Sequence, residues 1–171
     1  MQRTRTVRRI ASSRVTDRLH IPIPVRWGDL DAFNHVNNAA MLTLLEEARV
    51  RAFWRPGEDE EAPPTAVLES GIDHGVLALI ARHEIEYMAP VPYQRRPLDV
   101  QMWFGKIGGS SLEVCYEVRT APEVEPSVLY TRALTVIVLV DASSGRPIRL
   151  TPEMRSAWEP YVGDPLAFTR R

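Results

Sequence analysis

Met41, Leu44, Leu45, Ala48 and Ala52 recur at the i, i+3, i+4, i+7, i+11 spacing that aligns side chains on one face of a helix, and no other stretch carries that pattern at such length. Asn37 or Asn38 can cap its start, Glu47 and Arg51 form an i, i+4 pair on its wet side, and Pro56-Gly57 ends it. One amphipathic helix without a helical partner must bury its apolar stripe on a sheet. The rest of the chain supplies the strands. RLHIPIPVRW (18–27) alternates apolar with polar or proline positions, and Pro22 and Pro24 confine it to an edge or a bulge. LALIARHEIEYM (77–88), LDVQMWF (98–104), SLEVCYEVRT (111–120) and VLYTRALTVIVLVD (128–141) are strand-like, with turn sequences PVPYQRRP, KIGGSS, APEVEPS and ASSGRP between or after them. Leu134 to Val140 is apolar except for Thr135, as in a central or doubly covered strand, whereas Leu98, Val100, Met102 and Phe104 alternate with Asp99, Gln101 and Trp103, as in a sheet with one covered face. Strand, helix, then four strands is an α+β order, with the helix lying across the concave face of a twisted antiparallel sheet. A short helix is expected near Pro152 (PEMRSAWEPY).

A chain of 171 residues with 44% apolar content suits one domain with a real core, assigned to residues 18–160 between a basic N-terminal tail (1–17) and a C-terminal tail (161–171). RPGEDEEAPPT (55–65) is a surface loop, because too little chain precedes it to form a second domain. The net charge of −1 points to no nucleic-acid partner, and no run of about 20 apolar residues points to a membrane. One cysteine, Cys115, excludes an intramolecular disulfide and favours a reducing compartment, with the cytoplasm as default.

Polar groups crowd the entry to the helix. WGDLDAFNHVNN (27–38) places two carboxylates, a histidine and an Asn pair where backbone amides lack intrahelical partners and the helix dipole favours negative charge. A carbonyl oxygen bound to those amides could be attacked under the control of an Asp on the turn, acting either as general base toward water or as direct nucleophile. Asp29, Asp31 and His35 offer two hard oxygens and an imidazole, but no further ligand cluster completes a coordination shell, so no metal is expected. Phosphate-loop, nucleophile-elbow and H-E-x-x-H motifs do not occur.

The segment WGDLDAFNHVNNAAMLTLLEEAR resembles the opening of hotdog-fold acyl-CoA thioesterases of the 4-hydroxybenzoyl-CoA thioesterase type, in which a G-D-x-D turn precedes the central helix. RHEIEYMAPVPY and RRPLDVQMWFGKIGGSSLEVCYEV extend the likeness over residues 18–142. The resemblance implies a five-stranded antiparallel sheet wrapped around one long helix, hydrolysis of an acyl-CoA or acyl-carrier thioester, no cofactor, and a homodimer or homotetramer. It implies Asp31 as the catalytic carboxylate and the main-chain N–H near Asn38 as the carbonyl polariser. A second thioesterase lineage uses a Glu from mid-helix, a role open by position to Glu46 or Glu47.

Asp29 reads instead as a turn-former, Asn37 and Asn38 side chains as caps, and His35 either as a group orienting water or substrate or as a backbone donor. A CoA ligand needs cations and small turns, for which Arg82, Arg95, Arg96, Lys106 and the Gly108 to Ser111 turn, including Ser110, are candidates, alone or across a subunit boundary. Two rival functions remain: a hotdog hydratase or dehydratase, whose G-D-x-N-P-x-H pattern this chain meets only imperfectly, and a non-catalytic acyl-CoA-binding module.

Overall fold

The computed structural model describes residues 17–69 and 75–169. The expected basic N-terminal tail lies almost wholly outside them. Strand β1 (Leu19–Ile23) leads through a 3-10 turn (Trp27–Asp29) into helix α1 (Asn38–Phe53); β2 (Val76–Tyr87), β3 (Leu98–Ile107), β4 (Ser111–Arg119) and β5 (Leu129–Asp141) follow, then the short α2 (Pro152–Trp158). The five strands form one sheet in the order β1-β3-β4-β5-β2, every neighbouring pair antiparallel. The proline-bearing β1 is an edge strand, as Pro22 and Pro24 require. None of the described helices is long and apolar enough to cross a membrane.

Helix α1, about 24 Å long, buries the stripe read from its spacing: Met41, Leu44, Leu45, Ala48 and Ala52 join Val100, Met102, Phe104, Val114, Ile137 and Leu139 in one apolar cluster. Those sheet residues alternate along their strands, so a single face receives the helix. Phe53, Phe104 and Trp158 pack ring to ring with centroids 5.5–6.0 Å apart, locking the helix end to β3 and α2. Arg49 is the exception on the buried stripe, 4% exposed, with its guanidinium donating to Tyr116 Oη at 3.4 Å. The Glu47–Arg51 pair stands on the wet side at 2.8 Å.

The opposite face of the sheet is not left open. Trp103, Cys115 and Leu134 are buried there beneath Leu166 and Phe168. Residues 161–169, expected as a tail, therefore cross the sheet. Gly163 N–H donates to Phe104 O at 2.9 Å, Trp103 Nε1 donates to Asp164 O at 2.8 Å, and Thr169 N–H donates to Glu86 Oε1 at 2.7 Å. The physical reason is Trp103: an indole on the outward positions of β3 needs cover for its ring and an acceptor for its N–H. Gly105 lets the segment approach, since a Cβ there would stand 3.0 Å from Cys115 Sγ and 3.3 Å from Pro165 Cα.

Leu45 is fully buried beneath the helix, and Val50 on its outer side is 46% exposed. Leu45→Ala should lower the unfolding free energy by about 2–5 kcal/mol in denaturant titrations, while Val50→Ala should change it by less than about 0.5 kcal/mol. Equal effects would contradict this placement of the helix.

Candidate active site

The turn from Arg26 to Asn37 is built by its two aspartates in different ways. Asp29 is 3% exposed, and its carboxylate accepts from Arg26 N–H at 2.7 Å and from the Arg26 guanidinium at 2.8 Å. Burial alone would raise its pKa, but the hydrogen bonds and charge of Arg26 outweigh it and hold the group below the ordinary carboxylate value. Its backbone carbonyl accepts from Asn37 N–H at 2.8 Å, which ties the start of the turn to the start of the helix. With both oxygens on Arg26, Asp29 does not converge with Asp31 and His35 on a cation.

Asp31 uses one oxygen for the turn and leaves the other. Its Oδ1 accepts from Phe33 N–H at 2.8 Å and His35 N–H at 3.3 Å, an Asx-type closure in which Asn34 takes the left-handed conformation at φ 61°. Its Oδ2 makes no hydrogen bond among the described residues. The turn is fixed to the segment after β2 by Val36 N–H donating to Val91 O at 2.9 Å.

At the helix start, Asn37 Oδ1 accepts from Ala39 N–H at 2.8 Å and Met41 N–H closes the first helical turn on Asn37 O at 2.9 Å. Asn37 is therefore the N-cap. The next amide, Asn38 N–H, has no acceptor among the described residues. It opens a 16-residue helix, whose dipole places partial positive charge at that end.

Asp31, His35 and Asn38 line one cleft of about 320 Å³ together with Val36, Met41 and Thr131; the Tyr87 to Val91 segment forms the far wall. Tyr87 Oη donates to Asn38 O at 3.2 Å, clasping the helix start from β2, and burial raises the phenol's pKa. An unengaged carboxylate oxygen and an unengaged helix-terminal amide in one cleft can serve attack on a carbonyl and stabilisation of its oxyanion.

The remaining substrate candidates stand outside this cleft. The side chain of Asn37 is committed to the cap. Glu46 is exposed on α1, 4.0 Å from the Arg49 guanidinium. Arg82 pairs with Glu84 on the sheet face opposite α1, and Arg96 pairs with Glu123 at 3.6 Å. Lys106 follows a bulge at the end of β3, across from Glu113, and Ser110 sits in the β3–β4 turn, its carbonyl accepting from Leu139 N–H at 3.0 Å. Arg82 sits in mid-β2 on the face turned away from α1, Arg96 in the connection between β2 and β3, and Lys106 near the end of β3, and none of the three lines the cleft. Nothing in the sequence singles out Tyr87 and Thr131. Their place in the cleft depends on the pairing of Tyr87 with Thr131 across β2 and β5, more than 40 residues apart, which no local pattern announces.

The model of the thioesterase-like superfamily matches residues 25–158. No curated protein matches the chain at a significant level. Among solved structures, a thioesterase of Thermus thermophilus crystallised with coenzyme A and zinc is 27% identical, with 86% of this chain and 96% of that one aligned at a TM-score of 0.61. The YbaW probable thioesterase of Escherichia coli is 24% identical, covering 84% of this chain and 98% of its own at a TM-score of 0.63. The DHNA-CoA thioesterase of Staphylococcus aureus, at 16% identity, 83% and 89% coverage and a TM-score of 0.64, shares the fold. Because the family match runs from the aspartate-bearing turn through the helix and all four later strands, the chain belongs to the thioesterase-like superfamily and is a hotdog-fold thioester hydrolase.

Proposed function

We propose that the protein hydrolyses an acyl-CoA thioester to a free carboxylic acid and CoA, with Asp31 as the reactive carboxylate and Asn38 N–H as the carbonyl polariser. The observation that carries this reading is the pairing, in one cleft, of Asp31 Oδ2 and Asn38 N–H, each without a partner among the described residues. The coenzyme A bound by the Thermus thermophilus relative supports CoA as the thiol. The thioester oxygen sits on the Asn38 amide. Asp31 either takes a proton from a water whose oxygen adds to the carbonyl carbon, or adds its own oxygen to give a mixed anhydride that water then opens. In both routes the carbonyl π electrons pass to the oxyanion held by the amide and return as the C–S bond breaks, and the CoA thiolate leaves to be protonated. His35, half-buried on the same turn, orients the water or the acyl group. The reaction draws on no resident cofactor, and we place it in the cytoplasm.

The reading extends to a homodimer or homotetramer. Strand β2 is a 12-residue edge strand with Leu79 49% and Ile80 40% exposed, a combination that favours pairing with a second copy. Cations for the CoA phosphates, among them Arg82, Arg96 and Lys106, would then reach the cleft from the neighbouring protomer.

Thiol release from a panel of acyl-CoA substrates should be readily measured for the wild type and fall by about 10² or more in kcat for Asp31→Asn. The substituted side chain keeps a carbonyl oxygen as the turn's acceptor, so the thermal midpoint should stay close to the wild type. An unchanged kcat would contradict the assignment. Asp29→Asn should behave oppositely, lowering the thermal midpoint at neutral pH. The sign follows from a folded-state pKa below the unfolded one: the stabilisation is full above the unfolded carboxylate value of about 4 and disappears as pH falls through the lower folded value. The difference in midpoint between wild type and Asp29→Asn should therefore shrink on acidification; a gap that widens would refute the Arg26–Asp29 account. Sedimentation should give a dimer or larger for the wild type and a smaller species for the double change Leu79→Glu and Ile80→Glu. A monomeric wild type would overturn the edge-pairing proposal.

A further inference from the structure

Four threonines are buried among the described residues: Thr65, Thr120, Thr131 and Thr135. Three have partners. Thr65 Oγ1 donates to Ala52 O at 2.7 Å, Thr120 Oγ1 accepts from Val128 N–H at 3.1 Å, and Thr135 Oγ1 lies 3.0 Å from His83 Nδ1. Thr131 is 1% exposed, and its Oγ1 is buried with no hydrogen-bond partner among the described residues. It is also the one that lines the cleft with Asp31 and Asn38.

Its orientation follows from the strand. Thr131, Ala133, Thr135, Ile137 and Leu139 alternate along β5, and Ala133, Ile137 and Leu139 belong to the cluster that packs α1, so Thr131 is on the helix-facing side. Val36, Met41, Met88 and Val91 of the lining are apolar, the Tyr87 proton is committed to Asn38 O, and none of the polar lining residues forms a hydrogen bond with Thr131 Oγ1. A buried hydroxyl left without a partner is costly, and native proteins keep few of them. A hydroxyl both donates and accepts, so either a hydroxyl or a carbonyl on a ligand satisfies it.

We infer that this cleft selects acyl groups carrying a hydroxyl or carbonyl substituent, which Thr131 Oγ1 holds on the sheet wall while the thioester carbonyl rests on Asn38 N–H. The inference rests on the thioesterase reading and specifies its substrate class. An unsubstituted chain covers the hydroxyl and leaves it unpaired, whereas a substituted one pairs it, and sites built this way discriminate strongly against the analogue that lacks the polar atom. Thr131 is thus a specificity residue and takes no part in bond breaking.

The test compares matched pairs, butyryl-CoA with 3-hydroxybutyryl-CoA and 3-oxobutyryl-CoA, and hexanoyl-CoA with 6-hydroxyhexanoyl-CoA, on wild type, Thr131→Val and Thr131→Ser. For at least one pair the wild type should prefer the substituted substrate in kcat/KM. That ratio should fall about tenfold or more in the isosteric Thr131→Val and be largely restored in Thr131→Ser, which keeps the hydroxyl. A purely structural role would lower both members of each pair together and leave the ratios unmoved, and that result overturns the inference, as does a wild type that prefers every unsubstituted chain. Calorimetric titration of the same pairs as non-hydrolysable thioethers reads the contact independently of turnover. Absence of thiol release with a Thr131-dependent affinity ratio would count against hydrolysis alone; thiol release with Thr131-independent ratios would count against this inference alone.

Discussion

The burial of one helix stripe in one sheet face is the constraint on which the rest of the molecule depends. Leu45, Ala48 and Ala52 have no exposed surface, and the sheet residues that meet them come from strands distant in sequence. The small alanines let the helix sit close to the sheet, and the aromatic packing of Phe53, Phe104 and Trp158 holds its far end. With one end fixed in this way, the N-terminus of α1 has a defined position against the end of β2, where Tyr87 grips the Asn38 carbonyl. A mobile helix would have an equally strong dipole but no fixed place to present it.

The candidate reactive groups follow from that fixed end. A turn of a few residues has to enter the helix, and its own backbone groups need acceptors; Asp29 and Asp31 supply them. The two carboxylates then diverge in role. Asp29 is consumed by Arg26 and the helix entry, and Asp31, which lines the cleft, is left with one oxygen unengaged among the described residues. The same residue therefore helps build the turn and keeps one oxygen uncommitted, so under the proposed function a short polar motif serves both structure and reaction. The uncommitted amide is in place before substrate arrives, the condition under which such a donor acts most strongly on a developing oxyanion, while the carboxylate oxygen is left for the attacking side.

Much of this is legible in the chain. The helix stripe, the edge placement of the proline-bearing first strand, the Glu47–Arg51 pair and the short helix at Pro152 depend on local spacing and chemistry, and the structure has each of them. Other features depend on which distant residues become neighbours. Arg49 is accommodated on the buried stripe because Tyr116 of β4 accepts from it, and Trp103 is covered because the chain returns over β3 after α2. Thr131 looks like any strand threonine until the β2–β5 register sets it beside Tyr87. Composition makes Arg82, Arg96 and Lys106 reasonable partners for one ligand, but a single chain spreads them over different edges and faces.

In the proposed reaction the thioester carbonyl is held at the N-terminus of α1 and attacked from Asp31. The most direct measurement is a crystal structure of the protein with an acyl-CoA analogue in which the thioester sulfur is separated from the carbonyl by a methylene group. The ketone oxygen should lie within about 2.7–3.1 Å of Asn38 N, with Asp31 Oδ2 facing the carbonyl carbon directly or through one water. An analogue seated with its carbonyl elsewhere, for example in the groove between α1 and the 55–63 loop lined by Val50, Arg51 and Trp54, would contradict it.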